Sequence, residues 1–269
     1  MAGRALEMDT APRRSPGDAP PRIGTLAEGH LHATLKALCC EPGARCESVV
    51  EGLIVDVVNP GGLVEVQTGG FTRMRAKLER LLPGHPVRVV LPIPGEKVIV
   101  KVEENESGRR ELSRRRSPRR GHLLEAFREL VSIAPLLLHE HLTLELVLTR
   151  EEEIRAHQPG KAWRRKGWVV RERRLVEVLE RRRLSGAEGW AALLPFAGGE
   201  TFTSTELGEA LGQPRWLAGK MVYTLHRAGL LERLGKRGRS WEYAHALSGN
   251  PGSGGFAGNE LPCAVANND

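Results

Sequence analysis

Aromatic residues are scarce in this chain of 269 residues, 4% in all, and its four cysteines are too few to build a disulfide framework at that length. A reducing cytoplasm is therefore the expected setting. No uninterrupted apolar stretch approaches the roughly 20 residues that cross a bilayer as a helix, so no integral membrane protein is expected. Residues 1–22 are rich in Pro, Arg and Ala, lack an apolar core segment, and do not read as a secretory signal. There is no G-x-S-x-G elbow, Walker loop or dinucleotide fingerprint. Hydrolase triads, nucleotide cofactors and redox chemistry drop out with them. What the chain does hold is arginine-weighted charge, 40 Lys+Arg against 33 Asp+Glu and a formal +7. That balance favours an anionic partner only weakly. Arg, Ala and Gly together also mark a GC-rich coding bias, so charge is read segment by segment.

At 40% hydrophobic residues the chain can bury a sizeable core. Residues 1–22 and 248–269 combine Pro, Gly and polar residues without periodicity and read as disordered tails. Between them, residues 23–107 read as an α/β core, 108–186 as a basic, partly helical bridge open to extending that core, and 187–247 as a second, helical block. In the first block, Leu26, Leu31, Leu35 and Leu38 predict an amphipathic helix. Residues 49–58 predict one bent strand or a strand pair, the Asn59-Pro60-Gly61-Gly62 run a hairpin turn, and residues 63–67 its returning strand. A helix over 72–82, with Met74, Leu78, Leu81 and Leu82 inward, stops at Pro83-Gly84. The apolar run 87–93 reads as a buried strand and 97–102 as one more. The expected sheet is mixed, with a crossover helix before the buried strand.

Two acids flank the hairpin turn, Asp56 before it and Glu65 after it, and Gln67 shares a strand face with Glu65. Asp followed by Glu-x-Gln is a pattern suited to holding Mg²⁺ against a phosphodiester, with a third polar group orienting water. These residues and the element order resemble the PD-(D/E)xK nuclease superfamily over about residues 28–101. The resemblance implies a restriction-endonuclease-like core, catalytic roles for Asp56, Glu65 and Gln67, and Mg²⁺ ligation by Asp56 and Glu65 assisted by Glu28. Thr68-Gly69 is similar to the Lys-Thr-Gly ending of the RecB-like branch. Gln67 stands where most members carry Lys. Arg73, Arg75 and Lys77 on the next helix either contact phosphate and replace that lysine or form a solvated face.

Cys39, Cys40, Cys46, His30 and His32 lie close in sequence but fit no C-x-x-C spacing, so no zinc is expected. His139 and His141 around Glu140 lack the H-E-x-x-H spacing and read as a polar turn. The basic stretch 109–120 reads either as a phosphate track or as a solvated linker. Residues 123–131 predict a helix, 142–148 a strand and 169–182 a helix, while Glu151, Glu152 and Glu153 form an acidic run without an assigned partner.

The second block reads as helices over 187–194, 205–211 and 215–228, then strands over 230–234 and 241–244 around a basic Gly turn. That order resembles a winged helix-turn-helix domain, which implies DNA binding. Arg215, Lys220 and Arg227 on the third helix would meet the major groove, and Lys236, Arg237 and Arg239 in the wing would meet phosphates. The expected protein is a cytoplasmic DNA binder with a metal-dependent endonuclease-like domain, with a homodimer left open. A catalytically silent nuclease-like fold serving as a binding or assembly module is the alternative.

Overall fold

The computed structural model describes residues 29–105 and 108–246, so both expected tails and Glu28 lie outside the described residues. The protein is mixed α/β, with a seven-stranded mixed sheet and a smaller three-stranded one.

Helix α1 (His30–Cys39) buries Leu31, Leu35 and Cys39 at four-residue steps, a single apolar stripe laid on the sheet. Residues 49–58 resolve into a strand pair. β1 (Arg45–Val50) and β2 (Leu53–Asn59) are joined by Glu51 and Gly52 with φ of 50° and 72°, the two left-handed residues of a tight hairpin. After Pro60-Gly61, β3 (Gly62–Val66) returns antiparallel to β2. Gly62 is obligatory there, because a Cβ would meet the Pro86 carbonyl at 2.7 Å. Helix α2 (Thr72–Leu81), with Met74, Leu78 and Leu81 buried, crosses over to β4 (Val87–Asn105), which runs parallel to β3.

Two strands were expected over 87–102, but β4 is one strand of 19 residues with an irregularity between Pro94 and Glu96. Its two edges differ. β6 (Leu142–His157) runs parallel along one edge from Val87 to Val102. On the other edge, β3 pairs only up to Val90, and β5 (Gly108–Arg116) pairs from Val98 onwards. Pro92 and Pro94 fall in the gap. The carbonyls of Pro86 and Val90 accept from the Leu63 and Gln67 amides, so alternation points the even-numbered positions toward the open edge. Proline, which has no N–H, is tolerated there without an unpaired donor.

The bridge, 108–186, is largely strand and belongs to the main sheet. Its Arg-rich start is β5 rather than a linker, and the predicted helix over 169–182 is the strand β7 (Trp168–Leu184), paired antiparallel to β6 along nearly its whole length. Arg, Glu and Leu are good helix formers, but pairing to a long buried neighbour decides the conformation. A helical insert, 123–136, contains α3 (Phe127–Leu130) and precedes β6.

Beyond β7 come α4 (Gly186–Ala191), β8 (Phe202–Thr203), α5 (Ser204–Ala210), α6 (Arg215–Arg227), β9 (Leu231–Arg237) and β10 (Ser240–His245). A capping box between Thr203 and Glu206 starts α5. One apolar core runs from α2 and β4 through the insert into α5, α6 and β9. Trp190 anchors the junction: it is fully buried, packs edge-on against Phe127 at 6.1 Å, and donates its indole N–H to the Leu137 carbonyl at 3.1 Å.

Candidate functional site

The ladder between β2 and β3 stops at Val57 and Val64. One step further, Asp56 and Glu65 face each other, and their side chains take over the bonds that the backbones no longer make. The Val66 N–H donates to Asp56 Oδ2 at 2.8 Å, and the Asp56 N–H reaches Glu65 Oε1 at 3.4 Å. Helices bracket the pair. His32 of α1 lies 3.2 Å from Asp56 Oδ2, and Lys77 of α2 puts its ammonium 2.6 Å from Glu65 Oε1 while donating to the Ile54 carbonyl at 2.6 Å. Of the alternatives for this helix, Lys77 is therefore drawn to the acids, whereas Arg75 pairs with Glu79 one turn on.

The two carboxyls are shifted in opposite directions. Burial would raise Asp56, but hydrogen bonds from His32 and the Val66 amide, with the charges of His32 and Lys77, hold it below its ordinary value. Glu65 is 3% exposed; burial first and the Asp56 charge second push it up, and Lys77 only partly offsets them. Such a split between adjacent acids is a feature of working carboxylate pairs and of strained ion clusters alike. Gln67 is engaged elsewhere. Its amide donates to the carbonyls of Gly69 and Gly70 at 2.7 and 2.9 Å and closes the turn that follows β3. The third expected ligand, Glu28, lies outside the described residues.

Among the described residues, no three His, Cys, Asp or Glu side chains form a metal-ligand group. The pair alone still suits Mg²⁺, which takes one or two carboxylates and fills its shell with water and phosphate oxygens. Burial is the main cause that raises Glu65; the Asp56 charge adds to it, and a cation between the two acids would relieve that second part.

Charged networks that the sequence reading left without partners fill the rest of the sheet. Glu145, 1% exposed on β6, accepts from Arg88 at 3.1 Å, Arg181 at 3.0 Å and Arg183 at 3.4 Å. A lone acid within the apolar run 142–148 was the signal for it. The acidic run divides its partners: Glu151 accepts from Thr149, Glu152 pairs with Arg114, and Glu153 with Lys97 and Arg155.

In the second block, α6 turns Trp216 and Tyr223 outward, each 50% exposed, on a stripe shared with Lys220 and Arg227. Arg215 is exposed at its N-terminal end, and Lys220 donates to the Arg128 carbonyl at 3.3 Å. In the hairpin, Lys236 and Arg233 sit over the Trp241 ring at 5.1 and 4.1 Å, and Arg239 is exposed at the tip. Arg237 is differently placed. It makes a bidentate pair with Glu206 at 3.0 and 2.9 Å and a further contact to Glu242 at 3.2 Å. Arg233 and Trp241 were not singled out from sequence, because only the cross-strand register brings them to Lys236.

A mixed α/β sheet protein with a paired-acid centre is what these elements define. The chain belongs to the family described as "Domain of unknown function (DUF8091)", whose model matches residues 29–185. An uncharacterized protein of Treponema pallidum (strain Nichols) is 39% identical over 158 residues, which cover 58% of this chain and 61% of that relative. The match therefore spans less than two thirds of the relative's length. No solved structure matches the chain. The family region ends beside Leu184, the last residue of β7, so it contains the acid pair and the whole large sheet and excludes α4 to β10. No helix among the described residues is long and apolar enough to cross a membrane.

Proposed function

We propose that this protein binds DNA and cleaves phosphodiester bonds at the Asp56–Glu65 centre with Mg²⁺. The observation that carries the reading is the convergence of Asp56, Glu65 and Lys77 where β2 and β3 part. The order of elements supports it too: helix, three antiparallel strands, crossover helix and parallel strand, with the acids on the second and third strands, is the order a restriction-endonuclease-like core requires. Asp56 and Glu65 would hold Mg²⁺, which when bound polarises the phosphate and its attacking water. His32 fixes the Asp56 carboxylate in place, and Lys77 supplies, from the helix, the positive charge absent at Gln67. Gln67 shapes the turn beside the site. The C-terminal block acts as a winged helix, with Arg215, Lys220 and Arg227 toward bases and Lys236 and Arg239 toward phosphates.

A second reading, a silent nuclease-like fold that only binds DNA, is favoured by the Lys77 ammonium lying on Glu65. Calorimetric titration with Mg²⁺ and Mn²⁺ separates the two. The enzyme reading expects ion binding that Asp56→Asn abolishes. DNA binding indifferent to EDTA, with no heat of metal binding, would reject it in favour of the silent fold.

A further inference from the structure

The gap left on the β4 edge between β3 and β5 is roofed on one side by the helical insert and forms a groove of about 480 Å³. It opens where the acid site ends. Val66 pairs with Val90, and the groove begins at Leu91; Glu129, on its wall, lies 3.9 Å from where a Cβ on Gly70 would stand, in the turn closed by Gln67. Its floor is apolar, from Leu91, Ile93, Ile99 and Ala126. Five cations stand around that floor: Lys97, Arg119, Arg128, Arg155 and Arg173. They outnumber the carboxylates around them: Lys97, Arg155 and Arg173 share Glu153, Arg119 and Arg128 share Glu125, and Glu129 is the third acid, on the wall. Beneath them Glu151 is buried with one carboxylate oxygen unpartnered, and burial pushes that carboxyl toward its neutral form. Of the lining residues, Arg128 also stands over the half-exposed Trp216 ring of α6, 5.2 Å from its centroid.

We infer that this groove is a track for an unpaired strand of nucleic acid, with phosphates on the arginines and bases on the apolar floor and the Trp216 ring. Apolar and aromatic surface between rows of cations recognises unpaired bases together with their backbone, whereas a duplex offers phosphates outside and keeps its base faces stacked. The inference rests on the nuclease reading for what the strand is led to, and it names the substrate of that site: single-stranded, or a single-stranded branch of a larger structure. The Gln67 turn is the threshold between the track and the acids.

The test is fluorescence anisotropy of the full chain in EDTA with labelled oligo-dT, oligo-U and a duplex of equal length. The parent protein should bind the single strands more tightly than the duplex. Preference between the two single strands distinguishes DNA from RNA. Trp216→Ala should weaken single-strand binding roughly 5- to 150-fold, the worth of one base–aromatic stack. Arg119→Ala, at a side chain 64% exposed, should lower the log–log salt slope by about 0.7 while leaving the melting temperature unchanged. Duplex preference, or both variants binding oligo-dT and oligo-U like the parent, would overturn the inference. Because EDTA removes any metal, single-strand binding without later cleavage in Mg²⁺ would retain the track and reject the nuclease. Cleavage by a protein whose groove variants bind and cut normally would do the reverse.

Discussion

Replacing Lys77 with Met removes the ammonium that touches Glu65, a carboxyl 3% exposed and beside Asp56. Breaking a buried ion pair from one side costs about 3–5 kcal/mol. Lys77 is itself 21% exposed, which argues for the lower end, and the lost bond to the Ile54 carbonyl keeps the figure from falling further. A loss of about 3 kcal/mol at pH 8 corresponds to a drop of roughly 6–12 °C in Tm for a chain of this size. The signature is its pH dependence. Glu65 already lies above its ordinary value of 4.5, and without Lys77 it rises further. A carboxyl raised in the folded state favours folding in its protonated form, so stability is lost as pH climbs through the folded value and is regained on acidification. Asp56 has the opposite sign: it is lowered, so its contribution is present above its ordinary value of 3.8 and is lost as pH falls below that through the folded value. Urea unfolding of parent and Lys77→Met at pH 8, 6.5 and 5 should therefore show two curves that converge toward acid. A deficit under about 1 kcal/mol, or one independent of pH, would refute the account of Glu65 as a strained buried acid compensated by Lys77.

Three further outcomes follow from the same reasoning. Glu145→Ala strands Arg181 and Arg183, at 39% and 63% exposure, and leaves Arg88, at 19%, only its 3.8 Å contact to Glu41, so a loss of about 3 kcal/mol, the low end for a broken buried pair, is expected in thermal unfolding. Lys236→Ala and Arg239→Ala should each weaken duplex binding and lower the log–log salt slope by about 0.9, Arg239→Ala without changing stability and Lys236→Ala at a cost of at most about 1 kcal/mol from its contact with the Trp241 ring. Arg237→Ala should instead leave the salt slope unchanged and cost up to about 1 kcal/mol of stability, because its guanidinium is already held by Glu206 and Glu242.

What was legible from sequence is what local chemistry decides. The four-residue apolar steps of α1, the Pro-Gly stop after α2 and the hairpin turn between Asn59 and Gly62 all act within a few residues, and they placed Asp56 and Glu65 on adjacent strands. The strand β7 was misread because helix-forming Arg, Glu and Leu were overridden by a partner, β6, that the segment's own composition does not reveal. β5 reads as a phosphate track or a linker for the same reason: the acids that hold it lie on other strands, Glu104 and Glu172 for Arg109 and Glu152 for Arg114. At the site, no local signal placed His32 next to Asp56 or committed Lys77 to Glu65, since both contacts come from helices packed on the sheet. Arg237 counted as a phosphate ligand until Glu206, 31 residues away, was brought to it by the fold.

The central claim is tested most directly by incubating the full chain with end-labelled single-stranded, branched, nicked and duplex DNA in Mg²⁺ or Mn²⁺, alongside Asp56→Ala and Glu65→Gln. The account predicts metal-dependent cleavage of a substrate with an unpaired strand, lost in both variants and retained at low salt when Lys236 and Arg239 are replaced. No cleavage of any substrate, or Asp56→Ala cutting as fast as the parent, would contradict it.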